Sequence, residues 1–173
     1  MSPLCDCLID VLRPLYLKVV DVDQLCALVV ILKGEVLEEQ IELRGASLAC
    51  MRGCVGMLLH EVQERLTFRA QMYIRDEIQA FTPSADDLDY PRKLLALASG
   101  TSPKAAAGGG GGGSGGQLSG GAGIWLPVLP RTLACLSQLY RSVDKKIFEG
   151  IAQDAVVACT DALVSASLHG QIE

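Results

Sequence analysis

The sequence predicts an all-α fold, a helical bundle or rod carrying a disordered glycine-rich linker, and three observations carry that expectation. Every long patterned segment repeats its apolar residues at spacings of three and four, the period of one helix face. Half of the 173 residues are hydrophobic but only 5 % aromatic, so a core must be built from Leu, Val, Ile, Ala and Cys. Residues 100–123 hold 12 of the 18 glycines, six of them consecutive from Gly108 to Gly113, and such a tract cannot recover its ordering entropy. The expected organisation is a helical segment over 1–99, a flexible linker over 100–123 and a C-terminal helical pair over 124–173.

Ser2 and Pro3 read as an N-cap and a first helical position, followed by an apolar stripe of Leu4, Leu8, Val11, Leu12 and Leu15, with Pro14 expected to kink or end the helix. Asp21 and Asp23 open a second helix whose Leu25, Leu28, Val29 and Leu32 face the core and which Gly34 perturbs or ends. The strongest signal is a long amphipathic helix at about 47–81, with Leu48, Met51, Val55, Leu58, Val62 and Leu66 in register and Ala70, Tyr73, Ile74 and Ile78 continuing the stripe. Glu61 and Arg65 stand four apart on it, as an exposed supporting pair would. The stretch TPSADDLDYP reads as loop, and Lys93 to Ala98 as a short helical turn. Beyond the glycines, Pro130 suits a first turn before Leu133, Leu136 and Tyr140, and Asp144 can cap a last helix with Phe148, Ala152, Val156, Cys159, Leu163 and Ala166 on one face.

Charge excludes several function classes. Fifteen Lys and Arg stand against twenty Asp and Glu, and no region is basic, which argues against nucleic-acid binding and against a polybasic membrane patch. The longest uninterrupted apolar run, Leu25 to Leu32, is far short of the roughly 20 residues that a bilayer span needs and reads as a buried helix segment. The N-terminus carries Asp6 and Asp10 and no basic region before an apolar stretch, so no secretory signal is expected. Cys5, Cys7, Cys26, Cys50, Cys54, Cys135 and Cys159 form an odd, scattered set that reads as reduced thiols used as small core residues. His60 and His169 are too far from a second cysteine pair for zinc-finger spacing, so no metal is expected.

Catalytic patterns fail in the same way. The glycine tract runs GGSGGQLSGG with Lys104 upstream, whereas a phosphate loop needs Gly-Lys-Ser/Thr at its end. Asp21 and Asp23 echo a metal-holding acidic pair but lack the surrounding α/β pattern, which leaves helix capping. His60 has no nucleophile in view, Glu38, Glu39 and Glu42 read as a solvated helix face, and Asp86, Asp87 and Asp89 as turn formers. No catalytic residue, cofactor or enzyme activity is expected. The residues by themselves describe an acidic, helical, cytosolic interaction module.

Specific strings go further. CLIDVLRPL (7–15), ILKGEVLEE (31–39), VQERLTFRAQMYIRDEI (62–78), DLDYPRKL (87–94) and above all PRTLACLSQLYRSVDKKIFEGIAQDAV (130–156) resemble, in this order, the C-terminal part of subunit 3 of the conserved oligomeric Golgi complex. That resemblance implies a helical-rod subunit of a multisubunit vesicle-tethering complex, without enzymatic activity, peripheral on the cytosolic face of the Golgi apparatus and in the cytoplasm. It implies a role in intra-Golgi retrograde transport and glycosylation homeostasis, with the other subunits of that complex, SNARE proteins and Rab GTPases as partners. The alternative is a generic helical scaffold or adaptor of another tethering complex, such as an exocyst-like one.

Members of the family are longer and begin with a coiled-coil region, so the chain is expected to be a fragment or a truncated gene product. The glycine tract occupies the place of a variable polar insert, Pro130 stands where a basic residue is more typical, and the family continues into apolar helical sequence beyond Glu173. An exposed apolar face is therefore expected. The partner-binding candidates lie within 130–166: Leu133, Leu136, Tyr140, Phe148, Val156 and Leu163, although the same faces could simply pack on 47–81.

Overall fold

The computed structural model of the chain describes residues 3–89, 92–95 and 125–169. The expected all-α class holds: regular structure there is helical, and no strand occurs among the described residues. The linker expected over 100–123 lies outside the described residues. Two compact units are formed, Met1–Met72 with Cys135–Ile151, and Tyr73–Ala134 with Ala152–Glu173.

In the first unit, α1 (Pro3–Lys18) is followed by α2 (Val22–Val30), which passes directly into wide π-helical turns over Ile31–Ile41. Asp21 caps α2 as expected, its Oδ1 accepting from the backbone N–H of Asp23 at 3.1 Å. Gly34 therefore perturbs the run and does not end it. A short helix α3 (Glu42–Arg44) stops at Gly45, whose φ of 51° and ψ of −125° turn the chain through a 3₁₀ segment, Gly45–Leu48, into α4 (Ala49–Tyr73). Only a residue without Cβ takes that conformation cheaply.

α1 and α4 run parallel. Cys5 meets Cys50 and Cys54, Arg13 meets Glu61, Leu17 meets Arg65 and Val20 meets Arg69, so the sequence separation stays between 45 and 49 along the whole pair. Parallel helices need a return element, and α2 with its π-helical continuation supplies the intervening chain. Along α4 the stripe is the expected one, with Val55, Leu58, Val62, Leu66 and Ala70 all buried.

α1 departs from expectation in two ways. Its buried residues are Cys5, Ile9 and Tyr16, with Leu8 packed beside Cys5, Ile9 and Cys54, whereas Leu4 is 74 % exposed and Val11 and Leu15 also face out. The helix is apolar on more than one side, so periodicity alone left its rotation undetermined, and the contacts of Cys5 and Tyr16 with α4 fix it. Nor does Pro14 end the helix, which continues to Lys18. Pro14 and Asp10 both lie on the exposed side, where the carbonyl deprived of its helical donor is open to water.

The second unit takes the end of the long helix, continued as π-helical turns over Ile74–Gln79, then α5 (Ala85–Leu88), the start of α6 (Val128–Ser142) and most of α7 (Lys145–His169). α5 lies inside the stretch expected to be loop, and its cause is a capping box: Ser84 Oγ accepts from Asp87 N–H while the Asp87 carboxylate accepts from Ser84 N–H. Among the described residues of this unit, Ile74, Ile78, Leu126, Val128, Thr132, Ala155, Ala158, Cys159, Ala162 and Ala166 are buried. Thr132 remains satisfied by donating to Val128 O at 2.8 Å.

Candidate functional site

Residues with catalytic potential are dispersed. His60 is an exposed side chain whose nearest charged partner is Glu64, 3.4 Å away on the same helix, which is an ordinary i,i+4 arrangement. Asp21 is committed to capping α2, and burial together with the nearby Asp21 charge raises the Asp23 pKa. Cys5, Cys26, Cys54, Cys135 and Cys159 are buried free thiols, Cys7 and Cys50 exposed ones. Burial pushes the Cys135 thiol up to about 12, the direction opposite to that of a reactive thiolate. Among the described residues no three His, Cys, Asp or Glu side chains are grouped to hold a metal ion. A surface cavity of about 450 Å³ lies against Ile41, Glu42, Gly45, Ala46, Ala49 and Arg52, where Arg52 and Glu42 form an exposed ion pair.

The polar work of the first unit is structural. Arg13 Nε donates to Glu61 Oε2 at 3.1 Å, its Nη2 reaches the other carboxylate oxygen, and Tyr16 OH donates to the same carboxylate. The Arg13 and Tyr16 hydrogen bonds hold the Glu61 pKa below the usual carboxylate range. Burial, and then the bond to Glu61, raise the Tyr16 phenol. One and two turns further along α4, Arg65 donates to Leu17 O at 3.0 Å and Arg69 to Val20 O at 2.9 Å. The Leu17 carbonyl lies in the last turn of α1, where no intrahelical donor remains and a cation is favoured, and the Val20 carbonyl lies two residues beyond that helix.

The expected Glu61–Arg65 surface pair is therefore replaced. Both side chains turn to α1, because that helix lies along the face they share. The sequence offered no local signal for this, since both partners sit more than forty residues away.

The sequence-derived interaction residues divide between the units. In the first, Tyr140 is 69 % exposed and meets Phe148 edge-on, with ring centroids 5.4 Å apart and planes at 76°, across the turn joining α6 to α7. Leu136 and Phe148 are half-buried there. In the second, Leu133 is 44 % and Val156 54 % exposed, and Leu163 is half-buried.

Of the residues expected to share one face on each of these helices, Cys159 and Ala166 are buried, whereas the others are half-buried or exposed. α6 buries Val128, Thr132, Cys135 and Leu139, and α7 buries Ile151, Ala155, Ala158, Cys159, Ala162 and Ala166. On α7 small residues occupy the buried side, and Val156, Val157, Val164 and Leu168 lie outside. Over Lys145–Leu168 that helix is also long and apolar enough to cross a membrane by length and composition, at a mean hydropathy of 1.3, although charged residues interrupt its apolar runs. Asp154 and Asp161 fall inside the segment, and a carboxylate at bilayer depth costs about 2.5 kcal/mol or more.

Comparison with known proteins adds the remaining information. The family model described as the C-terminal part of conserved oligomeric Golgi complex subunit 3 matches residues 1–171. Proteins named conserved oligomeric Golgi complex subunit 3 are 36 % identical in Dictyostelium discoideum, over 92 % of this chain, and 33 % identical in Mus musculus, over 96 %. The Homo sapiens protein of that name is 32 % identical, again over 96 % of the chain. The chain spans only 18 % of the length of the Dictyostelium protein and 24 % of the mouse and human ones. No solved structure matches the chain.

Proposed function

The chain belongs to the family of conserved oligomeric Golgi complex subunit 3, in its C-terminal part, and from that premise we propose that it acts as a non-enzymatic helical contact module of that tethering complex. The single observation that carries this reading is the match over residues 1–171, which includes both helices bearing the outward apolar residues. Its partners on this reading are the other subunits of the complex, together with SNARE proteins and Rab GTPases. Its place is the cytosolic face of the Golgi apparatus, reached through protein contacts as a peripheral component, and its process is intra-Golgi retrograde vesicle transport that keeps glycosylation enzymes in their cisternae.

Physical chemistry supports a contact role. Leu136, Tyr140 and Phe148 in one unit, and Leu133, Val156 and Leu163 in the other, are apolar side chains left wholly or partly in water, as protein-binding faces are. Co-expression of the tagged chain with the remaining subunits, followed by purification, tests the reading directly: subunits of this complex are expected in the eluate. Cells depleted of the protein are expected to scatter recycling Golgi enzymes and carry incomplete glycans. Unchanged glycans and an eluate free of the other subunits would defeat it.

A further inference from the structure

The outward face of α7 in the second unit has a pattern that the contact role does not by itself explain. Asp154, Val157, Asp161, Val164 and Leu168 step by three, four, three and four, which places all five on one seam of the helix. Val157, Val164 and Leu168 are each more than half exposed, and Asp154 and Asp161 are exposed as well. The opposite side of the same helix buries Ala155, Ala158, Cys159, Ala162 and Ala166. Beyond Ile151, Val156, Val157, Val164 and Leu168 thus face water while Ala155, Ala158, Ala162 and Ala166 face the core, the reverse of what a helix with a single buried face requires.

The two aspartates decide what covers that seam. They are one heptad apart, about 10 Å along the axis and within some 20° of the same direction. Neither forms an ion pair among the described residues, and residues four before and after each (Gly150, Ala158, Val157, Ser165) bring no cation. A second copy of α7 fits badly. Parallel and in register it would set carboxylate against carboxylate, and antiparallel it would press the carboxylates onto valines. A bilayer fits badly too, because both carboxylates sit among the residues that would enter it.

We propose that this seam docks an amphipathic helix of another subunit of the complex, one whose seam alternates aliphatic residues with lysine or arginine at heptad spacing, so that Asp154 and Asp161 fix its charge and register. The inference rests on the contact role argued above and names the chemistry of the partner. Val157 and Val164 supply apolar burial, while the carboxylates reject helices with neutral or acidic residues at the facing positions.

The test compares the tagged wild-type chain with Asp154→Lys/Asp161→Lys and with Asp154→Asn/Asp161→Asn, each co-expressed with the other subunits, and quantifies every subunit recovered. Reversal is expected to lower recovery at least about tenfold, the amide variant less, with unfolding temperature unchanged because both positions are exposed. A carbodiimide, which joins a carboxylate to an amine in direct contact, is expected to link Asp154 or Asp161 to a lysine of another subunit. Wild-type recovery matched by the reversed variant would overturn this inference and leave the contact role standing, whereas failure of the wild type itself to recover any subunit overturns both. Links to a second copy or to a lysine of the same polypeptide, or sedimentation of the wild type with phosphatidylcholine vesicles, would also overturn it.

Discussion

Tyr16 on α1 donates its phenolic hydrogen bond to Glu61 on α4, 45 residues further along the chain, and so ties two parallel helices at the carboxylate that Arg13 also holds. Replacing Tyr16 with Phe leaves the ring in place and removes only this bond, so a loss of about 1 kcal/mol is expected in denaturant titration. A loss indistinguishable from zero would mean that the hydroxyl is equally well served by water.

The same pair sets a pH dependence. The folded state lowers the Glu61 pKa, so the carboxylate's contribution is complete above the ordinary carboxylate value, near pH 4.3, and is lost as pH falls through the folded value. It raises the Tyr16 pKa, so that contribution is complete below about pH 10 and is lost as pH rises through the folded value. Glu61→Gln is expected to flatten the acid limb of a stability profile and Tyr16→Phe the alkaline limb. A wild-type acid limb retained in Glu61→Gln would assign acid sensitivity to other carboxylates.

Glycine substitutions should divide by backbone conformation. Gly53 lies within α4, and a Cβ there meets nothing within 4 Å, so Gly53→Ala is expected to stabilise by roughly 0.5–1 kcal/mol. Gly45 has equally open space but a φ of 51°, so Gly45→Ala is expected to destabilise by about 1 kcal/mol or more through strain alone. Thermal denaturation of the two variants should shift in opposite directions.

Core and outer positions should separate as sharply. Leu66 is fully buried, and Leu66→Ala is expected to cost about 2–5 kcal/mol for lost transfer energy and the cavity left behind. Leu133→Ala on α6 is expected to change stability by no more than about 0.5 kcal/mol. If Leu133→Ala proved as costly as Leu66→Ala, its side chain would belong to the core.

Thiol labelling gives an independent check on burial. Iodoacetamide is expected to reach Cys7 and Cys50 first, while Cys5, Cys26, Cys54, Cys135 and Cys159 stay protected until the chain opens. Burial is also the leading cause of the raised pKa values of Cys26, Cys54 and Cys135, which slows their reaction further. Rapid labelling of Cys54, ahead of Cys50 on the same helix, would contradict the packing of α1 on α4.

The sequence by itself determined the helical class, the capping of α2 by Asp21 and the buried stripe from Val55 to Ile78, because each is written in residues within a few turns of one another. The family was legible for the same reason: the strings that carry it are contiguous. Tertiary structure alone decided the rotation of α1, which has apolar residues on several sides and could be oriented only by what Cys5 and Tyr16 meet on α4. It alone turned Glu61 and Arg65 from a surface pair into the groups that hold α1, Glu61 accepting from Arg13 and Arg65 donating to the Leu17 carbonyl. It also turned the alanines of α7 inward and its valines outward, which the sequence left open, because hydrophobicity read along one helix reports that a face is apolar without saying what lies against it.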